Sequence, residues 1–137
     1  EEKQQIEKIP TTNLTAYDFY QRGKEEIVNY WLNNDNKEAL KGAEKYYHKA
    51  LEYDTAFAPA YSGLAMVYTY KHRRDVNSYF SENYLDSSMI LASRALLHDD
   101  HLAEAYYARG LYYCENGDFE QAIKEFDKAT KYNPNYF

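Results

Sequence analysis

An all-α fold of three helical hairpins follows from three features of the sequence. Three prolines and five glycines in 137 residues are too few for a turn-rich β architecture. Apolar residues recur with a helical period in six successive segments. The second, fourth and sixth of these end alike: "KALEYDTAF" begins at Lys49, "RALLHDDHL" at Arg94 and "KATKYNPNY" at Lys128. Each places a basic residue before an alanine and an Asp or Asn four positions after it, so the chain reads as one supersecondary unit used three times.

Residues 1–14, "EEKQQIEKIPTTNL", are polar, contain Pro10, and read as a linker or N-terminal extension to a domain over residues 15–137. Asn13 or Thr15 can cap the next helix, because a side-chain oxygen there accepts from a free first-turn N–H. Asp18 adds favourable charge near the same end. The first helix is expected from Ala16 to about Asn33, with Phe19, Gly23, Ile27, Tyr30 and Trp31 on its packing face, and "NNDN" at 33–36 ends it. The second runs from about Lys37 to Tyr53 through Ala39, Ala43, Tyr47 and Ala50, and Asp54-Thr55 breaks it. The third, from about Phe57 to Lys71, carries Tyr61, Leu64, Ala65 and Tyr68. "RRDVNSYF" at 73–80 is the least patterned internal stretch, and the fourth helix is expected from about Ser81 to His98 with Leu85, Ser88, Ala92 and Ala95 in line. Helices over 103–116 and 119–132, split by Gly117-Asp118, complete the set.

Composition bounds the function. With 45% apolar and 28% charged residues the chain has a globular, not a disordered, profile. Its net charge is −6, whereas a nucleic-acid partner calls for a basic face. The one dense basic run, Lys71-His72-Arg73-Arg74, reads as a solvated helix end. Cys114 is the single cysteine, which precludes an internal disulfide or a cysteine zinc cluster and suits a small packed side chain. No apolar run approaches the roughly 18 residues needed to span a membrane. The chain starts with Glu1 and shows no secretory pattern, so it reads as a fragment of something longer, its compartment open and the cytoplasm favoured.

Ala95 and Ala129 lie 34 residues apart, the period of one helical-repeat class. Tyr106, Gly110, Tyr113, Ala122, Phe126, Ala129 and Pro134 follow that class's pattern, and Arg109 departs from it where leucine is usual. The stretch 103–134 therefore resembles a tetratricopeptide repeat. Tyr61, Leu64, Ala65, Tyr68, Ser88 and Ala95 follow it more loosely, and Phe19, Gly23, Ala43, Tyr47 and Ala50 more loosely again, giving units at about 16–55, 57–100 and 103–134. Tyr68 to Ser88 spans 20 residues against nine for Tyr113 to Ala122, which predicts a longer connection in the second unit. Gly23 to Ala43 spans 20 against 12 for Gly110 to Ala122, which predicts longer helices in the first.

The resemblance implies a right-handed α-solenoid of three hairpins that acts as a protein–protein interaction module. It further implies a concave groove lined by the first helix of each unit, here Tyr17, Tyr20, Lys24, Ser62, Met66, Tyr70, Glu104, Tyr107, Leu111 and Cys114. An aromatic-lined groove of this kind takes a protein or peptide segment. One subtype grips a partner's C-terminal carboxylate with Lys, Asn and Arg, but the matching places hold Tyr20, Lys24, Gly63, Glu104 and Ala108, and one positive charge does not make that clamp. "NLTAYDFYQRG" is similar to tetratricopeptide-repeat regions of bacterial signalling and transcriptional regulators, which implies a larger regulatory or scaffolding protein.

Other readings compete. The tyrosines can serve helix packing alone. Ile123, Phe126 and Tyr132 on the last helix can hold a second copy through residues 119–137, making the chain a structural solenoid that assembles end to end. His98-Asp99-Asp100-His101 offers metal-ligand types, but it falls at an inter-unit turn, where Asp satisfies local backbone groups, and the turn reading is preferred. No Gly-rich phosphate loop and no triad-like pairing points to an enzyme, and no cofactor is expected.

Overall fold

The computed structural model describes residues 11–34, 36–74 and 83–135. These form six helices, α1 Leu14–Leu32, α2 Lys37–Tyr53, α3 Ala58–Arg74, α4 Tyr84–His98, α5 Ala103–Glu115 and α6 Phe119–Tyr132, with no strand among the described residues. Each odd-numbered helix packs on the even-numbered one that follows, and successive hairpins meet through α2–α3 and α4–α5. Across hairpins α1 touches α3 and α3 touches α5, whereas α2 and α4, and α4 and α6, make no such contact among the described residues. The odd helices therefore crowd together on the inside of the stack and the even helices fan out on its outside.

Asparagine or aspartate side chains start four of the helices. Asn13 accepts from the Ala16 N–H at 3.0 Å, so Asn13 rather than Thr15 caps α1, and the helix begins at Leu14. Asn36, Asn83 and Asp118 do the same for Glu38, Asp86 and Gln121 at 3.0, 3.2 and 3.1 Å. Each satisfies an N–H that has no partner within its helix. Gly117, at φ 77°, closes α5. Its N–H reaches Cys114 O at 3.0 Å and the Asp118 N–H reaches Tyr113 O at 2.9 Å, a Schellman end that favours glycine.

The three helix ends that look alike in sequence are alike in atomic detail. Asp54, Asp99 and Asn133 take extended backbone conformations and donate their N–H to Ala50, Ala95 and Ala129. Their Oδ1 atoms accept from the N–H two residues on, at 3.1, 3.0 and 3.1 Å. Phe19, Tyr61 and Tyr106, each from the first helix of a unit, stack on Tyr53, His98 and Tyr132 at 5.7, 5.6 and 5.5 Å. The recurrent basic residue has its reason here as well: Lys49, Arg94 and Lys128 lie over those same three rings at 5.2, 5.8 and 5.5 Å. His98 is thus committed to Tyr61 and stands apart from Asp99, Asp100 and His101, whose ligand atoms come within 4.8 Å of one another at the exposed turn. The turn reading accounts for Asp99, whose carboxylate caps the His101 N–H.

Interior contacts depend on glycines opposite aromatic rings. A Cβ on Gly23 or Gly63 would lie 2.6 Å from the Tyr47 ring, and one on Gly110 would lie 2.4 Å from Phe126. Unit two exchanges the pair: Ala65 stands where the others have glycine and Ala92 where they have the ring, both fully buried. The lost ring volume is made up by Met66, Leu91 and Leu111 around them. Ser88, in place of alanine, is satisfied by Ala65 O and the Thr69 hydroxyl, both at 2.8 Å. Arg109, the departure from leucine, reaches the wholly buried Glu125 at 3.0 Å, and Gln121 donates to the same oxygen at 3.2 Å.

Both length differences have the expected origin. α1 and α2 run 19 and 17 residues against 13 and 14 for α5 and α6, and α3 ends at Arg74 while α4 begins at Tyr84. The fourth helix's expected start at Ser81, and most of "RRDVNSYF", lie outside the described residues. Two expectations are corrected. Trp31 is not on the packing face: it is 54% exposed and rests edge-on against Tyr30 and Tyr70, both at 5.1 Å. The basic run is not simply solvated: Lys71 pairs with Glu44 of α2, and His72 and Arg73 reach Glu115 of α5 at 3.9 and 3.6 Å.

Gly110→Ala tests the packing. Alanine is the better helix former by about 1 kcal/mol, yet its Cβ must push into the Phe126 ring, and overpacking of this kind costs about 1–3 kcal/mol. The variant is expected to melt earlier than the wild type, and Phe126→Leu is expected to cost less in the Gly110→Ala background than alone. An unchanged or raised melting temperature for Gly110→Ala sinks the packing account.

Candidate functional site

Crowding of α1, α3 and α5 leaves a cavity of about 230 Å³ on the inner side of the stack. Tyr20, Lys24, Ile27 and Val28 of α1 form one wall, and Gly63, Met66 and Tyr70 of α3 the other. Glu104, in the first turn of α5, closes one end. The Tyr47 ring of α2 enters the lining because Gly63 and Gly23 leave it room. Trp31 stands at the border, its ring edge-on to Tyr70.

Five of the residues expected on the groove line this cavity: Tyr20, Lys24, Met66, Tyr70 and Glu104. Ser62 lies beneath the surface, fully buried, and its hydroxyl donates to Pro59 O at 3.0 Å. Leu111 is buried in the cluster with Ala65, Met66 and Ala108. Tyr17 is half-buried, its hydroxyl accepts from Gln21 Nε2 at 2.6 Å, and it faces Tyr20 at 6.4 Å. Tyr107 packs on Phe126 at 5.6 Å, and Cys114 is half-buried on the last turn of α5. Tyr20 also meets Tyr47 at 5.9 Å and Phe57 at 5.1 Å, so it belongs to the packing and to the cavity wall together. Ile27, Val28, Tyr47, Gly63 and Trp31 were not among the expected groove residues. For α1 a signal existed, since continuing the stripe from Tyr20 and Lys24 by four and seven residues reaches Val28 and Trp31. For Tyr47 there was none, because it belongs to a second helix.

The electrostatics centre on Glu104. Burial pushes its carboxyl up from 4.5 to about 7, against the opposing pull of the Lys24 ammonium and the Ser62 hydroxyl. No ion pair within 4 Å joins Lys24 to Glu104 among the described residues; the Lys24 Nζ instead lies 5.5 Å over the Tyr20 ring. Burial first, and the Glu104 charge second, raise the Tyr20 phenol and push Tyr70 up to about 12. Both phenols are neutral donors and acceptors over the ordinary pH range.

Stacked hairpins enclosing an aromatic cavity on their inner helices make this a helical-repeat protein. Residues 103–136, the third hairpin, match the family model described as tetratricopeptide repeat. No curated protein matches the chain. No helix among the described residues is long and apolar enough to cross a membrane.

Glu104 gives a pH prediction with a definite sign. Between about 4.5 and 7 the folded chain holds a proton that the unfolded chain has released, so this group makes stability fall as pH rises through that window and level off above it. Glu104→Gln removes the charged form. It is expected to raise the urea midpoint relative to wild type at pH 8 and to lose most of that advantage at pH 5. A difference between the two proteins that is the same at both pH values rules out a desolvated carboxylate at this position.

Proposed function

We propose that the chain is a binding module that holds an extended or helical segment of a protein partner in the cavity between α1, α3 and α5, within a larger regulatory or scaffolding protein. Tetratricopeptide repeats are protein-interaction units and typically non-enzymatic, which supports the class. The observation that carries the location is the run of Tyr20, Met66 and Tyr70 in one cavity lining, with the half-exposed Trp31 edge-on to Tyr70. Aromatic side chains at a cavity rim present large contact area with few rotors to freeze. They recur among the anchors that dominate binding energy.

A second reading is favoured by a different surface. Phe119 and Ile123, four residues apart on α6, are 65% and 60% exposed, and an apolar face of that kind suits contact with a second copy. Sedimentation over a range of concentrations separates the two: the binding-module reading expects a monomer, the end-to-end reading a concentration-dependent dimer abolished by Ile123→Glu.

Peptides selected by display against the wild-type chain test the cavity. Trp31→Ala is expected to weaken their binding by about tenfold or more, the loss of one anchor of about 2 kcal/mol, with little change in melting temperature because the indole is half exposed. Tyr20→Ala is expected to lose both binding and stability, since its ring also meets Tyr47 and Phe57. Ile90→Ala, on exposed α4, is expected to bind normally. Selected peptides that ignore Trp31 and depend on Ile90 put the site on the outer face.

A further inference from the structure

We propose that the segment seated in the cavity is basic, and that a lysine or arginine side chain of the partner occupies the space between Tyr20 and Tyr70 with its charge on Glu104. The inference rests on the binding-module reading above and adds the chemistry of the occupant. Among the described residues Glu104 is the one acidic residue in the lining and Lys24 the one basic residue, so these two decide the sign of the guest. They are not equivalent. Lys24 is exposed, and an exposed ammonium is hydrated, screened by salt and free to swing away. Glu104 is partly buried in the cavity lining and lies in no ion pair among the described residues. A carboxylate held in such surroundings gains more from a guest cation than an exposed amine gains from a guest anion.

The rings agree with this sign. Glu104 lines the same cavity as Tyr20 and Tyr70, and its charge raises both phenols. Lys24 already shows that a cation settles over the Tyr20 ring, at 5.5 Å, and a guest ammonium or guanidinium finds ring faces and a carboxylate together. The whole chain carries a net charge of −6, so a basic segment also approaches down a favourable field. Around Glu104 the acting groups are Lys24 of α1 and Ser62 of α3, and Tyr20 and Tyr70 feel its charge from the same two helices. Among the described residues no charged group of α4 or α6 contributes to its shift. A basic guest must compete with a proton for this carboxylate, so its binding strengthens as pH rises through about 7.

The test uses three acetylated, amidated nonapeptides, identical in a serine–alanine–leucine background except for a central lysine, leucine or glutamate. Binding is read from the emission of Trp31, the chain's one tryptophan, at pH 8 and pH 6. At pH 8 the lysine peptide is expected to bind about tenfold or more tighter than the other two, and the preference is expected to shrink at pH 6. Glu104→Gln is expected to abolish the preference at both pH values. Lys24→Gln, by removing a like charge, is expected to strengthen the lysine peptide. Circular dichroism of both variants establishes that they are folded. Equal binding of the lysine and leucine peptides leaves the cavity as a binding site and overturns the basic occupant. Tighter binding of the glutamate peptide, weakened by Lys24→Gln, overturns it in favour of an acidic one. Failure of all three peptides to bind removes the cavity reading and this inference with it.

Discussion

Everything in the first half of the stack leans on one ring. Tyr47 lies against Gly23 of its own hairpin and Gly63 of the next, in the space where each would carry a Cβ. Two helices from different units therefore close on one side chain of a third. Since α1 and α3 can approach only because both lack a side chain there, the width of the inner cavity is set by the ring that fills the gap. The same ring forms part of the cavity lining. Structure and candidate site thus share an atom set, and a change that loosens the stack must also reshape the groove. Phe126 repeats the device against Gly110 in the last hairpin. The middle hairpin packs Ala65 and Ala92 in one cluster at the matching places, trading a large-against-nothing contact for a small-against-small one.

Charges divide by their surroundings. Lys71 with Glu44, and His72 and Arg73 with Glu115, tie the end of α3 to the hairpins on either side. Arg109 and Glu125 form a pair inside the third hairpin, where Glu125 is wholly buried; breaking such a pair costs far more than the pair contributes. Against this background Glu104 is the exception. It is partly buried, lines the cavity, and lies in no ion pair within 4 Å among the described residues. A carboxyl with a perturbed titration at a concave surface is a feature that binding sites share.

The repeat is more regular in its atoms than in its letters. Three turns share the same backbone conformation, the same Asp or Asn cap, the same ring stack and the same cation over the ring. Yet those positions hold Phe or Tyr, Lys or Arg, and Tyr or His. Each job demands a shape and a charge rather than a residue, so substitution within a class leaves the geometry intact while blurring the pattern. The third unit, residues 103–136, keeps enough of the letters to match the family model.

The sequence by itself determined the six helices, the positions of most of their ends, and the hairpin pairing. Those rest on local physics: the 3.6-residue apolar period, Asn and Asp at caps, Gly117 at positive φ. It also determined five of the cavity residues, because a stripe on one helix is a property of that helix alone. Tertiary structure alone decided the rest. Trp31 fell on the predicted packing stripe of α1 and was turned outward, because helix α3 meets α1 through Tyr70 and leaves the indole at the border. Tyr47 entered the cavity from α2 through two glycines on other helices. Ser62 and Leu111, one stripe with the cavity residues, sank beneath it as the helices closed. The titration of Glu104 depends on how deeply three helices from three units bury it, and no spacing along one chain encodes a depth.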